Sequence, residues 1–305
     1  MSNVSRKAGR KRKGAFREKT EFLLYRAITG MVDRVSDQSA RTGGERLGAL
    51  AARLLPRRHQ LVLRNLAATF PDKSVEQREG IALACWKHFG RMTLDYVRKR
   101  NWPLERVIDQ VDLEGWSNLE NALAMQRGVI VVTAHLGDWE IGLNVLSRAG
   151  VRVTTVARAL DNQLLEEELY RVRRRSGIEL VDRRHAARTL VRAIEKKEIV
   201  VLLPDQAVQP GEGILALFLG RPAWTTPAPA RLALRYQVPI VVLFCIPGEE
   251  RSTLRVLRPI LCHELPVDAR TAEGVTALIN DHISAAIREK PELWLWMHNR
   301  WKWTS

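Results

Sequence analysis

Cysteine is scarce: Cys85, Cys245 and Cys262 are the only three in 305 residues, odd in number and far apart. That excludes a disulfide framework and the paired spacing of a structural zinc site, and it fits a reducing, cytosolic setting. The scattered His and Cys residues lack ligand spacing in general, so neither a metal nor a redox cofactor is expected. Long apolar runs are missing as well. The longest stretch without a charge, Tyr236 to Gly248, is thirteen residues broken by Pro239 and Pro247, whereas spanning a bilayer takes about 20 apolar residues. No transmembrane helix is therefore expected. Nor is a secretory signal, because the basic start is not followed by an apolar core and a small-residue cleavage site. The glycines at 211, 213 and 220 do not form a GxGxxG that opens a helix, and no Walker-type Gly-Lys-Ser/Thr occurs; dinucleotide and nucleotide phosphate loops are excluded. No internal repeat is visible.

Acidic charge is also in short supply. Asp and Glu number 34 against 49 Lys and Arg, an excess of +15 that favours nucleic acid, anionic lipid headgroups or an acidic protein as partner. Eight of the basic residues lie between Arg6 and Lys19, with Glu18 the single acid among them. Residues 1–20 read as a basic, disordered arm, either a solvated tail or one drawn to an anionic surface. The basic residues match no nucleic-acid-binding motif and the aromatics avoid the arm, so no nucleic acid is expected as partner.

What is present is apolar patterning, with 46% hydrophobic residues, enough to bury a substantial core. Residues 21–305 read as one domain with a helical preface over 21–110 and an α/β core over 111–305. In the preface, Phe22, Leu23, Leu24, Ile28, Met31, Val32 and Val35 share one helical face, and Leu47, Leu50 and Leu54 another. Gly43-Gly44 is expected to separate the two helices. The first, beside the basic arm, has the composition of an interfacial helix, with packing into its own domain as the alternative. Ser74 and Gln77 form a capping box after the stop Phe70-Pro71-Asp72. From Val111 onward, short apolar runs at 128–133, 151–156, 199–203 and 238–246 alternate with helical stretches at 161–176 and 183–197. This is a βαβ pattern, and its doubly apolar strands predict a mostly parallel sheet flanked by helices. A further strand over 253–260 and a helix over 271–290 precede the Trp-rich end PELWLWMHNRWKWTS.

The stretch GVIVVTAHLGDWEIGLNVL carries the chemistry. An apolar strand ends in Ala134-His135 and a Gly-Asp turn leads into a helix near Trp139. Open α/β sheets place ligands at such carboxyl ends of strands. His135 and Glu140, five apart, would splay on a continuous helix but can meet across the turn. A neutral imidazole then takes a proton from a hydroxyl while the carboxylate fixes its tautomer. By itself such a spacing also arises by chance among 7 His and 34 acids.

His135-Leu-Gly-Asp-Trp-Glu140 resembles the HX4(D/E) motif of the bacterial lipid A biosynthesis acyltransferases, the lauroyl and myristoyl transferases of the wider lysophospholipid acyltransferase superfamily. Further blocks are similar in order and spacing: Arg64-Asn65-Leu66 with Phe70-Pro71, Val156-Ala-Arg158, Leu203-Pro204-Asp205-Gln206, Phe218-Leu-Gly220, and Trp296-Met-His298-Asn-Arg300-Trp301-Lys302. The likeness covers roughly residues 20 to 303. It implies the glycerolipid acyltransferase-like α/β fold and transfer of a fatty acyl group from an acyl carrier protein or CoA thioester to a hydroxyl of a membrane lipid. A lipid A precursor is the first choice of acceptor; a phosphatidylinositol mannoside, an ornithine lipid or a lysophospholipid is the alternative. His135 and Glu140 are implied as the catalytic pair, and Arg158 as the residue holding the acyl oxyanion or a phosphate. Asp205 is implied in the substrate site without a settled role, a turn-forming Asp after Pro204 being the other reading. The expected partners are acidic acyl carrier protein, the lipid acceptor and an anionic membrane surface, at the cytoplasmic face of the bacterial inner membrane. Two features depart from the family: Asp138 stands where Asn is frequent, and the usual N-terminal hydrophobic anchor is reduced to Phe22–Val35. His298 and the alternating Trp294, Trp296, Trp301 and Trp303 read as structural or as membrane contact.

Overall fold

A computed structural model describes residues 14–157, 160–183 and 186–304. Five helices precede the first strand: α1 (Ala15–Val32), α2 (Asp37–Leu54), α3 (Pro56–Thr69), α4 (Val75–Lys99) and α5 (Leu104–Ile108). Local chemistry sets several of their starts. Ser36 caps α2 by accepting from Ser39 N–H, Pro56 opens α3, and the capping box of Ser74 and Gln77 is formed at the start of α4.

The expected break at Gly43-Gly44 is corrected. The chain breaks at Asp33–Ser36 instead, and α2 runs straight through both glycines. The reason is packing against α4. A Cβ on Gly44 would lie 2.7 Å from the Arg91 backbone, one on Gly48 would lie 2.1 Å from the Trp86 carbonyl, and one on Gly90 of α4 would lie 2.1 Å from the Gly44 carbonyl. Each helical glycine costs about 1 kcal/mol in propensity; here the absent side chains let the two backbones touch.

The core then alternates strands and helices: β1 (Val111–Glu114), α6 (Trp116–Ala124), β2 (Val129–Val132), α7 (Trp139–Val145), β3 (Val153–Ala157), α8 (Gln163–Arg175), β4 (Ile178–Asp182), α9 (Ala186–Glu195), β5 (Ile199–Leu202), β6 (Ile214–Phe218), β7 (Arg221–Thr225), α10 (Ala228–Tyr236), β8 (Ile240–Ile246), β9 (Ser252–Val256) and α11 (Ala272–Glu289). Seven strands form one sheet in the order β1-β9-β8-β2-β5-β3-β4, parallel except for the antiparallel pair β8–β9. The fold is α/β with a mostly parallel sheet. The hairpin β6–β7 stands apart as a two-stranded unit; β1, β4 and β7 do not stand out as apolar runs in the sequence, since each carries proline or charge.

Side-chain alternation splits the central strands between two cores. Ile130, Val132, Val200, Leu202, Val242 and Phe244 face α9, α10, α11 and the tryptophans of the C-terminal segment. Val129, Val131, Ile199, Val201, Val241 and Leu243 face α6 and α7. Each such fully buried Val, Leu or Ile stabilises the fold by about 1.5–3 kcal/mol, so the sheet centre is the rigid base for whatever sits at its carboxyl edge. No helix among the described residues is long and apolar enough to cross a membrane.

Candidate active site

β2 and β5 are parallel neighbours, paired from Val129–Ile199 to Val132–Leu202, so the segments leaving their carboxyl ends emerge side by side. One carries His135, the other Asp205. His135 Nδ1 lies 2.9 Å from Asp205 Oδ1, and the His135 backbone N–H donates to Asp205 Oδ2 (3.0 Å). The indole Nε1–H of Trp294 donates to the same Oδ2 (3.0 Å). Asp205 is 1% exposed and can serve only as an acceptor when ionised. Nδ1 of His135 must then carry the proton, which in the neutral ring leaves Nε2 as the acceptor nitrogen. Gln206 Nε2 lies 3.3 Å from that nitrogen, and the ring of Trp139, at the start of α7, meets the imidazole edge-on at 5.3 Å.

Burial raises the Asp205 carboxyl, but the His135 charge and the hydrogen bonds from His135 and Trp294 outweigh it and bring it down to about 2. Burial likewise works against the His135 imidazolium, yet the Asp205 charge, the hydrogen bond to it and the Glu140 charge carry its pKa above the ordinary value. Each group therefore stabilises the charged form of the other.

The carboxylate on the imidazole differs from the expected one. Glu140 sits in the first turn of α7, and its Oε1 accepts from Arg173 Nη2 of α8 (2.6 Å); among the described residues it makes no hydrogen bond to His135. The left-handed Gly137 (φ +61°) turns the chain sharply enough to start α7 at Trp139, which aims Glu140 across at α8. Strand order, which brings β5 beside β2, delivers Asp205 instead. Arg158 lies outside the described residues. Asp138 is buried and turned away from the imidazole: it accepts from Ser252 Oγ (2.9 Å), and burial raises its pKa.

The Trp-rich end forms neither a strand nor a lipid-facing belt. Trp294, Trp296 and Trp301 are buried, and Trp303 alone of the four is exposed. This segment braces the site from behind. Leu295 N–H donates to the His135 carbonyl (3.1 Å) and Gly137 N–H to that of Leu293 (3.0 Å). Ala207 N–H donates to His298 Nε2 (3.0 Å), and burial lowers His298 to about 4, so it stays a neutral acceptor. Arg300, also buried, donates to the Gln206 carbonyl (3.3 Å), the Trp224 carbonyl (2.5 Å) and Thr225 Oγ1 (2.5 Å). Residues 205–207 are thus held by partners some ninety positions away in sequence. Gln206, Trp294 and Arg173 are given no role in the site by the sequence; the signal it does carry is that Asp205, like His135, ends an apolar run. No group of three His, Cys, Asp or Glu side chains among the described residues is disposed to hold a metal ion.

Such an arrangement can extract a proton from a hydroxyl with a neutral imidazole and stabilise the resulting imidazolium. Comparison with known proteins agrees with acyl-transfer chemistry. The profile of the bacterial lipid A biosynthesis acyltransferases matches residues 10–303. The chain is similar to the lipid A biosynthesis palmitoleoyltransferase of Escherichia coli K12, at 30% identity over 260 residues, 85% of this chain and 83% of the relative. It is similar to the lauroyltransferase of the same organism at 27% over 262 residues, 84% and 83% of the two chains. It is also similar to a phosphatidylinositol mannoside acyltransferase of Mycobacterium tuberculosis, at 24% over 221 residues, 71% and 66%.

Proposed function

The chain belongs to the bacterial lipid A biosynthesis acyltransferase family, and from this premise we propose that it moves a fatty acyl group from an acyl carrier protein or CoA thioester to a hydroxyl of a membrane lipid, a lipid A precursor in the first instance. Acyl transfer itself follows from the family. Donor, acceptor and residue roles are the proposal.

The observation that carries the residue roles is the His135–Asp205 hydrogen bond, which makes Nε2 the basic nitrogen of the neutral ring. In the proposed step His135 Nε2 takes the proton of the acceptor hydroxyl as its oxygen attacks the thioester carbonyl. The tetrahedral adduct collapses with cleavage of the carbon–sulfur bond, and the departing thiolate recovers the proton from the imidazolium. Asp205 holds the Nδ1–H tautomer and balances the transient positive charge, acting through His135 rather than on the substrate. Glu140 adds its charge from α7 and holds the Arg173 guanidinium of α8 by an ion pair. Arg158 is proposed, on the family resemblance, to meet the oxyanion.

Access to a lipid acceptor is supported by α1, where Leu23, Leu24 and Met31 are exposed beside the exposed Arg17, Lys19, Arg26 and Arg34. We assign this face to peripheral docking at the cytoplasmic side of the inner membrane. The similarity to a phosphatidylinositol mannoside acyltransferase supports such a mannoside as the second acceptor class.

The test is incubation of the purified chain with carrier-protein and CoA thioesters and a panel of lipid acceptors, read by mass spectrometry. One acyl mass gained by one acceptor with wild type, and lost with His135→Ala and Asp205→Asn, supports the proposal and names the acceptor. Turnover that survives His135→Ala removes it.

A further inference from the structure

The Trp-rich end of the chain, unused in the acyl-transfer scheme, sends one donor into the centre of the site. We propose that Trp294 is a positioning residue of the reaction: its indole N–H holds one oxygen of Asp205 and so sets how strongly that carboxylate pulls on the His135 ring. The inference rests on the reading of His135 as the base.

Trp294 is buried, and its ring is locked between Phe218 (centroids 5.4 Å apart), Trp296 (4.7 Å) and Trp301 (6.1 Å). Its backbone is fixed too, since Cys85 Sγ–H donates to the Trp294 carbonyl (3.2 Å) and Leu295 N–H to that of His135 (3.1 Å). A tryptophan that only fills space has no need to aim its N–H at an ionised group. The other two buried tryptophans of the C-terminal segment show the contrast. Trp296 donates to the Pro291 carbonyl (2.7 Å), and Trp301 Nε1 has no partner among the described residues.

A hydrogen bond to a carboxylate stabilises its charge and weakens its attraction for a further proton. Asp205 Oδ2 accepts from both Trp294 and the His135 backbone, while Oδ1 faces the imidazole. With the indole donor removed, the backbone donor still holds the carboxylate in place. Asp205 remains ionised but becomes the stronger base, and the imidazolium beside it is stabilised. The other titratable groups facing the pair are the charged Glu140 from α7 and, from the C-terminal segment, the neutral His298 and the charged Arg300; none of them contacts the indole N–H, so they stay constant when it is removed.

Trp294→Phe keeps an aromatic ring and deletes the donor, and Trp296→Phe makes the same deletion two residues away. The full chain in lipid nanodiscs is to be titrated by NMR of the His135 ring, with kcat/KM followed against pH in parallel. In Trp294→Phe the His135 midpoint and the acid limb should both rise by about half a pH unit, giving about a threefold loss of kcat/KM on that limb with the alkaline plateau retained. Trp296→Phe should leave the midpoint in place. An unmoved or lowered midpoint in Trp294→Phe, or an equal rise in Trp296→Phe, overturns the proposal. Should Trp294→Phe not fold, the indole N–H signal of Trp294 in the unaltered chain should titrate with the His135 midpoint, and a signal blind to it overturns the proposal equally. The titration does not need turnover, so failure of the acyl-transfer reading, seen as activity surviving His135→Ala, is told apart from failure here.

Discussion

Burial alone would push the His135 imidazole toward its neutral form and the Asp205 carboxyl toward its acid, and their proximity reverses both tendencies. The signs of the two shifts fix the pH behaviour. The raised His135 pKa contributes stability that is full below 6.5 and is lost as pH rises through the folded value. The lowered Asp205 pKa contributes stability that is full above 3.8 and is lost as pH falls through about 2. The pair therefore stabilises the fold most between those ordinary values, whereas a base must be neutral to work. Activity should rise along an acid limb whose midpoint lies above 6.5, the ordinary imidazole value, while stability from the pair declines over the same range; a kcat/KM limb at or below 6.5 would contradict this. Asp205→Asn removes the charge and the tautomer lock together, so kcat should fall on the order of 10²-fold or more and the limb should move down. Glu140→Gln, which contributes charge but no hydrogen bond to the ring, should also lower the limb, with a smaller shift. A pH profile of the two variants separates the carboxylate that touches the imidazole from the one that does not.

At the level of elements, the helix pair α2–α4 is held by backbone contact through glycines, and that makes opposite predictions for two substitutions of the same kind. Gly48→Ala would set a methyl 2.1 Å from the Trp86 carbonyl, and the helices must part to admit it, at a cost of about 1–3 kcal/mol. Gly80→Ala, exposed within α4 with nothing inside 4 Å of its added Cβ, should stabilise by up to about 1 kcal/mol. Thermal unfolding of the two variants should give melting shifts of opposite sign. The same contrast shows what the sequence made legible. The capping box of Ser74 and Gln77 and the central strands β2, β5 and β8 could be read because their causes are local. Gly43-Gly44 read as a break because its true partner, Gly90, lies on another helix. The site divides in the same way. His135 and Asp205 each end an apolar run and were visible singly, but their union depends on β5 lying beside β2, a fact of sheet order that spacing along the chain does not contain. Glu140 looked nearer only because it is nearer in sequence.

Across the whole molecule, the first and last parts of the chain meet behind the sheet edge. Asn65 of α3 donates to the carbonyls of Trp296 (3.1 Å) and His298 (3.3 Å), so the helical region and the C-terminal brace support the site together. The opposite side of the helical region is left open. Besides the apolar residues of α1, the exposed Leu47, Leu50 and Leu54 of α2 alternate with the exposed Arg46 and Arg53. With a net charge of +15, the chain should approach an anionic bilayer by long-range attraction and then stay by burying these leucines. The two contributions separate by salt. At about 1 M salt the screening length falls to about 3 Å, so flotation with phosphatidylglycerol vesicles should weaken but not vanish for the unaltered chain. The double substitution Leu23→Glu and Leu24→Glu removes apolar area from α1 and adds repulsion; it should abolish flotation at high salt while leaving partial binding at low salt. Equal binding of the variant and the unaltered chain at high salt would place the docking face elsewhere. Complete loss for the unaltered chain at high salt would make the attachment purely electrostatic and leave the exposed leucines without a membrane role.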